Sequence, residues 1–143
     1  MQIKDIMTSN AVTIDSNASV VEAARKMKSL EIGALPVRQG EELVGMITDR
    51  DITVRCVAEK KDISKTQVGD IMTPEVFYCQ ENDDIQDAAR TMEEKCIHRL
   101  LVLDKDYEPV GFVSLADLAV KGHDEHLIYE VVERISEPAC PHK

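Results

Sequence analysis

The sequence predicts an α+β fold: two β-α-β-β-α repeats packed sheet to sheet with pseudo-twofold symmetry. Three observations predict it. The chain repeats internally, both copies carry the same order of apolar periodicities, and a copy of some fifty residues is too small to bury its own faces. At an offset of 65, Asp5-Ile6-Met7-Thr8 matches Asp70-Ile71-Met72-Thr73, and Ala23-Ala24-Arg25 matches Ala88-Ala89-Arg90. Met27, Ile32, Leu35 and Val37 match Met92, Ile97, Leu100 and Val102. One inserted residue makes the offset 66, where Val44-Gly45 matches Val110-Gly111 and Asp51 matches Asp117. The boundaries read as repeat one at 1–59, a polar connection at 60–68, repeat two at 69–121 and a C-terminal segment at 122–143.

Each repeat opens with a short extended stretch, Ala11 to Ile14 and Val76 to Cys79. A helix follows. Ser19-x-x-Glu22 is a capping-box pattern, and Val20, Ala23, Ala24, Met27 and Leu30 then recur on one helical face. Asp84-x-x-Asp87 opens the copy, with Ile85, Ala88, Ala89 and Met92 on its face. Two strands come next, Ala34–Val37 and Leu43–Ile47 around the turn at 39–42, then Leu100–Leu103 and Pro109–Val113. Pro36 lacks an N–H, so its strand lies at an edge or carries an irregularity. Second helices start near Asp49 and Leu115. Leu127, Ile128, Val131, Val132 and Ile135 make one more short amphipathic segment, before a proline-bounded end at Pro138 and Pro141 that cannot be helical. The leftover Ala-, Met- and Val-rich helix faces are natural homodimer surfaces.

Composition excludes several function classes. Net charge is −10 and aromatics are 3% with no Trp, which argues against nucleic acid and against an anionic membrane. The charge is uneven. Residues 1–65 hold ten Lys/Arg and ten Asp/Glu, whereas 66–143 hold seven against seventeen. No apolar run approaches the roughly 18 residues of a spanning helix, and no apolar targeting stretch stands at the N-terminus. Four cysteines without a C-x-x-C pair, three of them in apolar patterns, argue against a disulfide framework and for a cytoplasmic setting.

The stretch Gly45-Met46-Ile47-Thr48-Asp49-Arg50-Asp51 reads as a buried strand running into a helix, and Gly111 to Asp117 copies it. Thr48 with Asp51, and Ser114 with Asp117, fit capping boxes. The same groups suit a ligand. A helix start welcomes an anion, and a carboxylate offers two acceptor oxygens to a cis-diol.

Asp-Ile-Met-Thr at the start of each repeat, Gly-Ala-Leu-Pro-Val at 33–37 and the two Gly-to-Asp junctions together resemble the tandem CBS-domain (Bateman) module, over residues 1 to about 121. The segment from Ile97 through Asp117 also resembles repeats of the nucleotide-sensing subunit of AMP-activated protein kinase. The resemblance implies a regulatory protein that binds an adenosine-containing ligand, such as AMP, ADP or ATP, in the cleft between repeats. It also implies a homodimer, with an effector protein as a further partner. Carried over by position, Thr8 and Thr13 line the first pocket, and Ile32, Gly33, Ala34, Leu35 and Pro36 read adenine. Thr48 contacts phosphate or ribose, and Asp51 takes the ribose hydroxyls. Arg99, with His98 beside it, reaches the phosphates of that ligand, a task suited to guanidinium. Ser114 and Asp117 form the second site. Its cross-repeat partners are only Gly33 and Ala34, so the first site is expected to be the better nucleotide site.

Two alternatives stand beside this reading. One is a structural dimerisation module whose caps are only caps, and the other is a sensor of S-adenosylmethionine or NAD. His123, His126, Cys140 and His142 lack the spacing of a zinc site, so no metal is expected. No nucleophile motif, Walker loop or H-x-x-x-H pair is present, so neither catalysis nor a resident cofactor is expected.

Overall fold

The computed structural model describes residues 1–9, 12–138 and 140. A 3-10 turn at Ile3–Asp5 precedes β1 (Thr8–Ser9), β2 (Ile14–Asp15), α1 (Val20–Leu30), β3 (Ala34–Gln39) and β4 (Glu42–Thr48). One α-turn, α2 (Asp49–Asp51), then continues as a π-helix, Ile52–Val57. The chain goes on through α3 (Val68–Ile71), β5 (Tyr78–Gln80), α4 (Ile85–Lys95), β6 (Arg99–Leu103), β7 (Pro109–Ser114), α5 (Leu115–Lys121) and α6 (Glu125–Ile135). The α+β plan is therefore present in both halves. Ala11, Pro141 and His142, which entered the expectations above, lie outside the described residues.

The chain divides into a central unit, 12–76, and a terminal unit, 1–11 with 77–143. These units do not follow the sequence repeats. The central unit has the sheet β2-β3-β4, and the terminal unit has β1-β7-β6-β5. β1, from the start of repeat one, pairs antiparallel with β7 of repeat two, Thr8 opposite Phe112 and Ser9 opposite Gly111. Conversely, Thr73 from the start of repeat two exchanges both backbone hydrogen bonds with Met46 of β4, at 2.9 and 2.8 Å.

Glycine makes both crossings possible. A Cβ at Gly45 would collide with the Thr73 carbonyl oxygen, and one at Gly111 with that of Thr8. Behind each crossing, the isoleucines of the lead segment anchor it. Ile3 and Ile6 are buried with Ala88, Met92 and Val113, while Val68 and Ile71 are buried with Val20, Leu35 and Ile47.

Local rules account for the remaining elements. Ser19 Oγ accepts the Glu22 N–H at 3.1 Å, and Asp84 Oδ1 accepts the Gln86 N–H at 2.9 Å. α1 and α4 then end in left-handed residues at matching places, Glu31 and Cys96, both at φ 56°. Gly40, at φ +64°, turns the β3–β4 hairpin. β3 is the middle strand of its sheet, so Pro36 is not at an edge. Its missing N–H is tolerated because β2 pairing begins only at Val37, and because Met46 opposite turns its own N–H and C=O to Thr73. The expected irregularity follows one residue later, between Val37 and Arg38.

The two long helices differ in cover. α1 buries Val20, Ala23 and Met27 but leaves Ala24 and Leu30 exposed. α4 buries Ile85, Ala88, Ala89 and Met92, because α6 lays Val131, Leu127, Ile128 and Ile135 on the same cluster.

One expectation is overturned. Cys96 and Cys140 form a disulfide, with Cα atoms 5.6 Å apart and a separation of 44 positions in sequence. The distance along the chain hides the proximity that arises when α6 folds back along α4. Cys56 and Cys79 are free and buried.

Candidate ligand-binding junctions

Both junctions are full capping boxes. Thr48 leaves β4 in an extended conformation, and its Oγ1 accepts the Asp51 N–H at 3.1 Å while Asp51 Oδ2 accepts the Thr48 N–H at 3.0 Å. In the copy, Ser114 Oγ accepts the Asp117 N–H at 3.1 Å, and Asp117 Oδ2 accepts the Ser114 N–H at 2.9 Å. Each reciprocal pair satisfies N–H groups that a helix start leaves orphaned. Capping therefore occupies one carboxylate oxygen at each junction.

The second oxygen distinguishes them. Asp51 is only 8% exposed. Its Oδ1 accepts from Thr73 Oγ1 at 3.4 Å and stands 3.7 Å from Arg55 Nη1. That guanidinium also donates to the carbonyls of Ile71 and Met72, both at 3.1 Å, and to Thr73 Oγ1 at 3.3 Å. Asp117 is half-buried, and its cap is tightened by the Ser114 hydroxyl, 3.1 Å from Oδ2. Lys121, which matches Arg55 at offset 66, donates instead to the Ile6 carbonyl at 3.4 Å.

Thr73 and Arg55 are the residues that the sequence reading missed. Thr73 is the repeat partner of Thr8, so the repeat itself held the signal. The missing ingredient was the crossing of the lead segments. Thr8 accordingly lies exposed in β1 of the terminal unit, beside the strand that ends at Ser114. Thr13, Ile32, Gly33, Ala34, Leu35, Pro36, Thr48 and Asp51 all belong to the central unit. Ala34, Leu35 and Pro36 are buried in β3, Ile32 and Gly33 are half-buried, and the Gly33 carbonyl accepts the Asp49 N–H at 3.0 Å. The Thr13 carbonyl accepts from Lys26 Nζ at 3.3 Å. His98, Arg99, Ser114 and Asp117 are in the terminal unit, and Arg99 stands opposite Ser114 in the β6–β7 register. His98 and Arg99 are both exposed, and Arg99 makes no ion pair with another described residue.

Burial pushes the Cys79 thiol up to about 12, with the nearby Asp83 charge adding to it. It is protonated at neutral pH and no nucleophile. Among the described residues no group of three or more His, Cys, Asp or Glu is arranged to hold a metal. His126 is paired with Glu130 at 3.0 Å, and Cys140 is in the disulfide. No described helix is long and apolar enough to cross a membrane.

A family model described as CBS domain matches residues 3–57 and again 68–123. The chain belongs to the CBS-domain family. It is 39% identical over 118 residues to the CBS domain-containing protein YhcV of Bacillus subtilis, covering 82% of this chain and 83% of that one. A solved structure of Hypoxic Response Protein I with two coordinated zinc ions is 30% identical, with a TM-score of 0.73 over 85% of this chain and 98% of that one. The CBS domain pair of protein MJ0100, in complex with 5′-methylthioadenosine and S-adenosyl-L-methionine, is also 30% identical, with a TM-score of 0.71 over 83% of this chain and 93% of that one. The tandem-CBS expectation from the repeats is met.

Proposed function

We propose that this CBS pair is a non-enzymatic, cytoplasmic regulatory module that binds an adenosine-containing ligand at the Thr48–Asp51 junction. Asp51 carries the reading. One of its oxygens is committed to the cap, and the other is presented with the Thr73 hydroxyl, a carboxylate and a hydroxyl side by side for a ribose cis-diol. The adenosine compounds bound by the MJ0100 CBS pair support the ligand class. They also favour a second reading, S-adenosylmethionine in place of AMP, ADP or ATP. Ile32 to Pro36 supply the apolar strand for the base. Ser114 and Asp117 form a weaker site. A bound ligand changes the protein's signalling state only through its differential affinity for two conformations, read by a homodimer or an effector protein.

A thermal-shift panel of AMP, ADP, ATP, NAD and S-adenosylmethionine tests this. A ligand specific for the native state adds about 2.7 kcal/mol at 100 times its Kd. The shift should vanish in Asp51→Asn, which keeps a capping oxygen, and survive in Asp117→Asn. Absence of any shift with millimolar ligand sinks the proposal and leaves a structural dimerisation module.

A further inference from the structure

The disulfide stands where nothing in the shared repeat calls for a cysteine. Cys96 is the left-handed residue that closes α4, and its counterpart closing α1 is an exposed glutamate, Glu31, with the same φ of 56°. The cap therefore does not need sulfur. Cys140, five residues past the end of α6, is 2% exposed against it. Two consequences follow from the position. First, the bond fastens the segment after α6, which the described hydrogen bonds hold only locally: Ser136 N–H to the Val132 carbonyl, Glu137 N–H to the Arg134 carbonyl, Cys140 N–H to the Glu137 carbonyl, and the Arg134–Glu137 pair. Second, it joins α4 to the segment after α6, and these flank a groove of about 480 Å³ lined by Glu93 and Glu94 of α4, Glu130 and Glu133 of α6, and Glu137, with Arg134 as the one cation. Four carboxylates on the two helices and a fifth just past α6 repel one another, so the bond joins elements whose charges oppose their approach.

We propose that Cys96–Cys140 is a redox-sensitive strap that sets the order of the last turn of α6 and of Ser136 and Glu137 beyond it. A dithiol reductant transfers two electrons and two protons to the bond. The sulfur–sulfur bond breaks, Cys96 and Cys140 leave as thiols, and the dithiol becomes a cyclic disulfide. Reoxidation by a disulfide reverses the step.

The test uses the full chain, air-oxidised or reduced with dithiothreitol. Alkylation under denaturing conditions should count two free thiols when oxidised, those of Cys56 and Cys79, and four when reduced. Reduction should raise amide hydrogen exchange in the last turn of α6 and at Ser136 and Glu137 roughly ten-fold while leaving α1, β3 and β4 unchanged. Cys140→Ser should reproduce the reduced pattern without reductant. Four thiols in the oxidised protein, or unchanged exchange at the α6 end, overturns the strap.

Discussion

The two junctions are copies in sequence and unequal in structure. Around Asp51 the copy has become a cluster: Thr73, Arg55 and the Ile71 and Met72 carbonyls converge on a carboxylate that is nearly buried. Around Asp117 the same frame closes on itself, with Ser114 both donating to and accepting from the same residue, and Lys121 reaching a single carbonyl. The units differ in the opposite sense elsewhere. The terminal unit has its long helix covered by α6 and strapped by a disulfide, while the matching face of α1 leaves Ala24 exposed. The lesson is that duplication preserves the cap, which every helix start needs, and leaves the second carboxylate oxygen and the helix face to diverge.

The largest effect expected is alkaline and confined to the terminal unit. Cys79 titrates at about 12 in the fold against 9.0 in a model thiol, because burial and Asp83 disfavour its thiolate. Its folded pKa is raised, so the stability it contributes is intact below pH of about 9 and lost as pH climbs toward about 12. The unfolded chain releases its proton first, and the loss approaches roughly 4 kcal/mol. Urea unfolding of wild type and Cys79→Ala at rising pH should show a steeper decline for wild type. Parallel declines would remove Cys79 from the account.

Next in size are the crossings. Gly45→Ala and Gly111→Ala each drive a methyl group into a backbone carbonyl, and each should cost about 1–3 kcal/mol by denaturant midpoint. Equal costs would sharpen the symmetry of the crossings. A harmless Gly45→Ala would break it, since Thr73 could not then lie where it must to serve Asp51.

Smallest is the pair Arg55→Ala and Lys121→Ala. Both side chains are solvent-exposed, so each loss should be within about 1 kcal/mol. Arg55→Ala should be the more costly, because its guanidinium serves three acceptors as well as Asp51. It should also change ligand affinity, which Lys121→Ala should not. Equal effects would contradict the inequality of the junctions.

Much of this was legible before any coordinates. The Asp-Ile-Met-Thr and Gly-to-Asp matches announced two repeats, and Ser19, Thr48, Asp84 and Ser114 announced their caps, because capping is written within four residues. α6 was legible from Leu127, Ile128, Val131 and Ile135. Arg55 was not, since an arginine one turn into a helix looks like any solvated charge. Pro36 suggested an edge strand or an irregularity; it sits in a middle strand, with a register shift just after it between Val37 and Arg38. The reason is that only its N–H side needed to be free, and strand periodicity does not say which side that is.

By itself the sequence determined what depends on near neighbours along the chain: the repeats, the helix starts, the hairpins and the apolar faces. These follow from hydrogen bonds and periodicities spanning a few residues. The tertiary structure alone decided which threonine stands beside Asp51 and which cysteines bond. Thr73 is 22 residues from Asp51, and Cys140 is 44 from Cys96. Such pairs meet only where a glycine lets one backbone lie against another, or where a helix folds back along its neighbour, and no local rule of sequence encodes either.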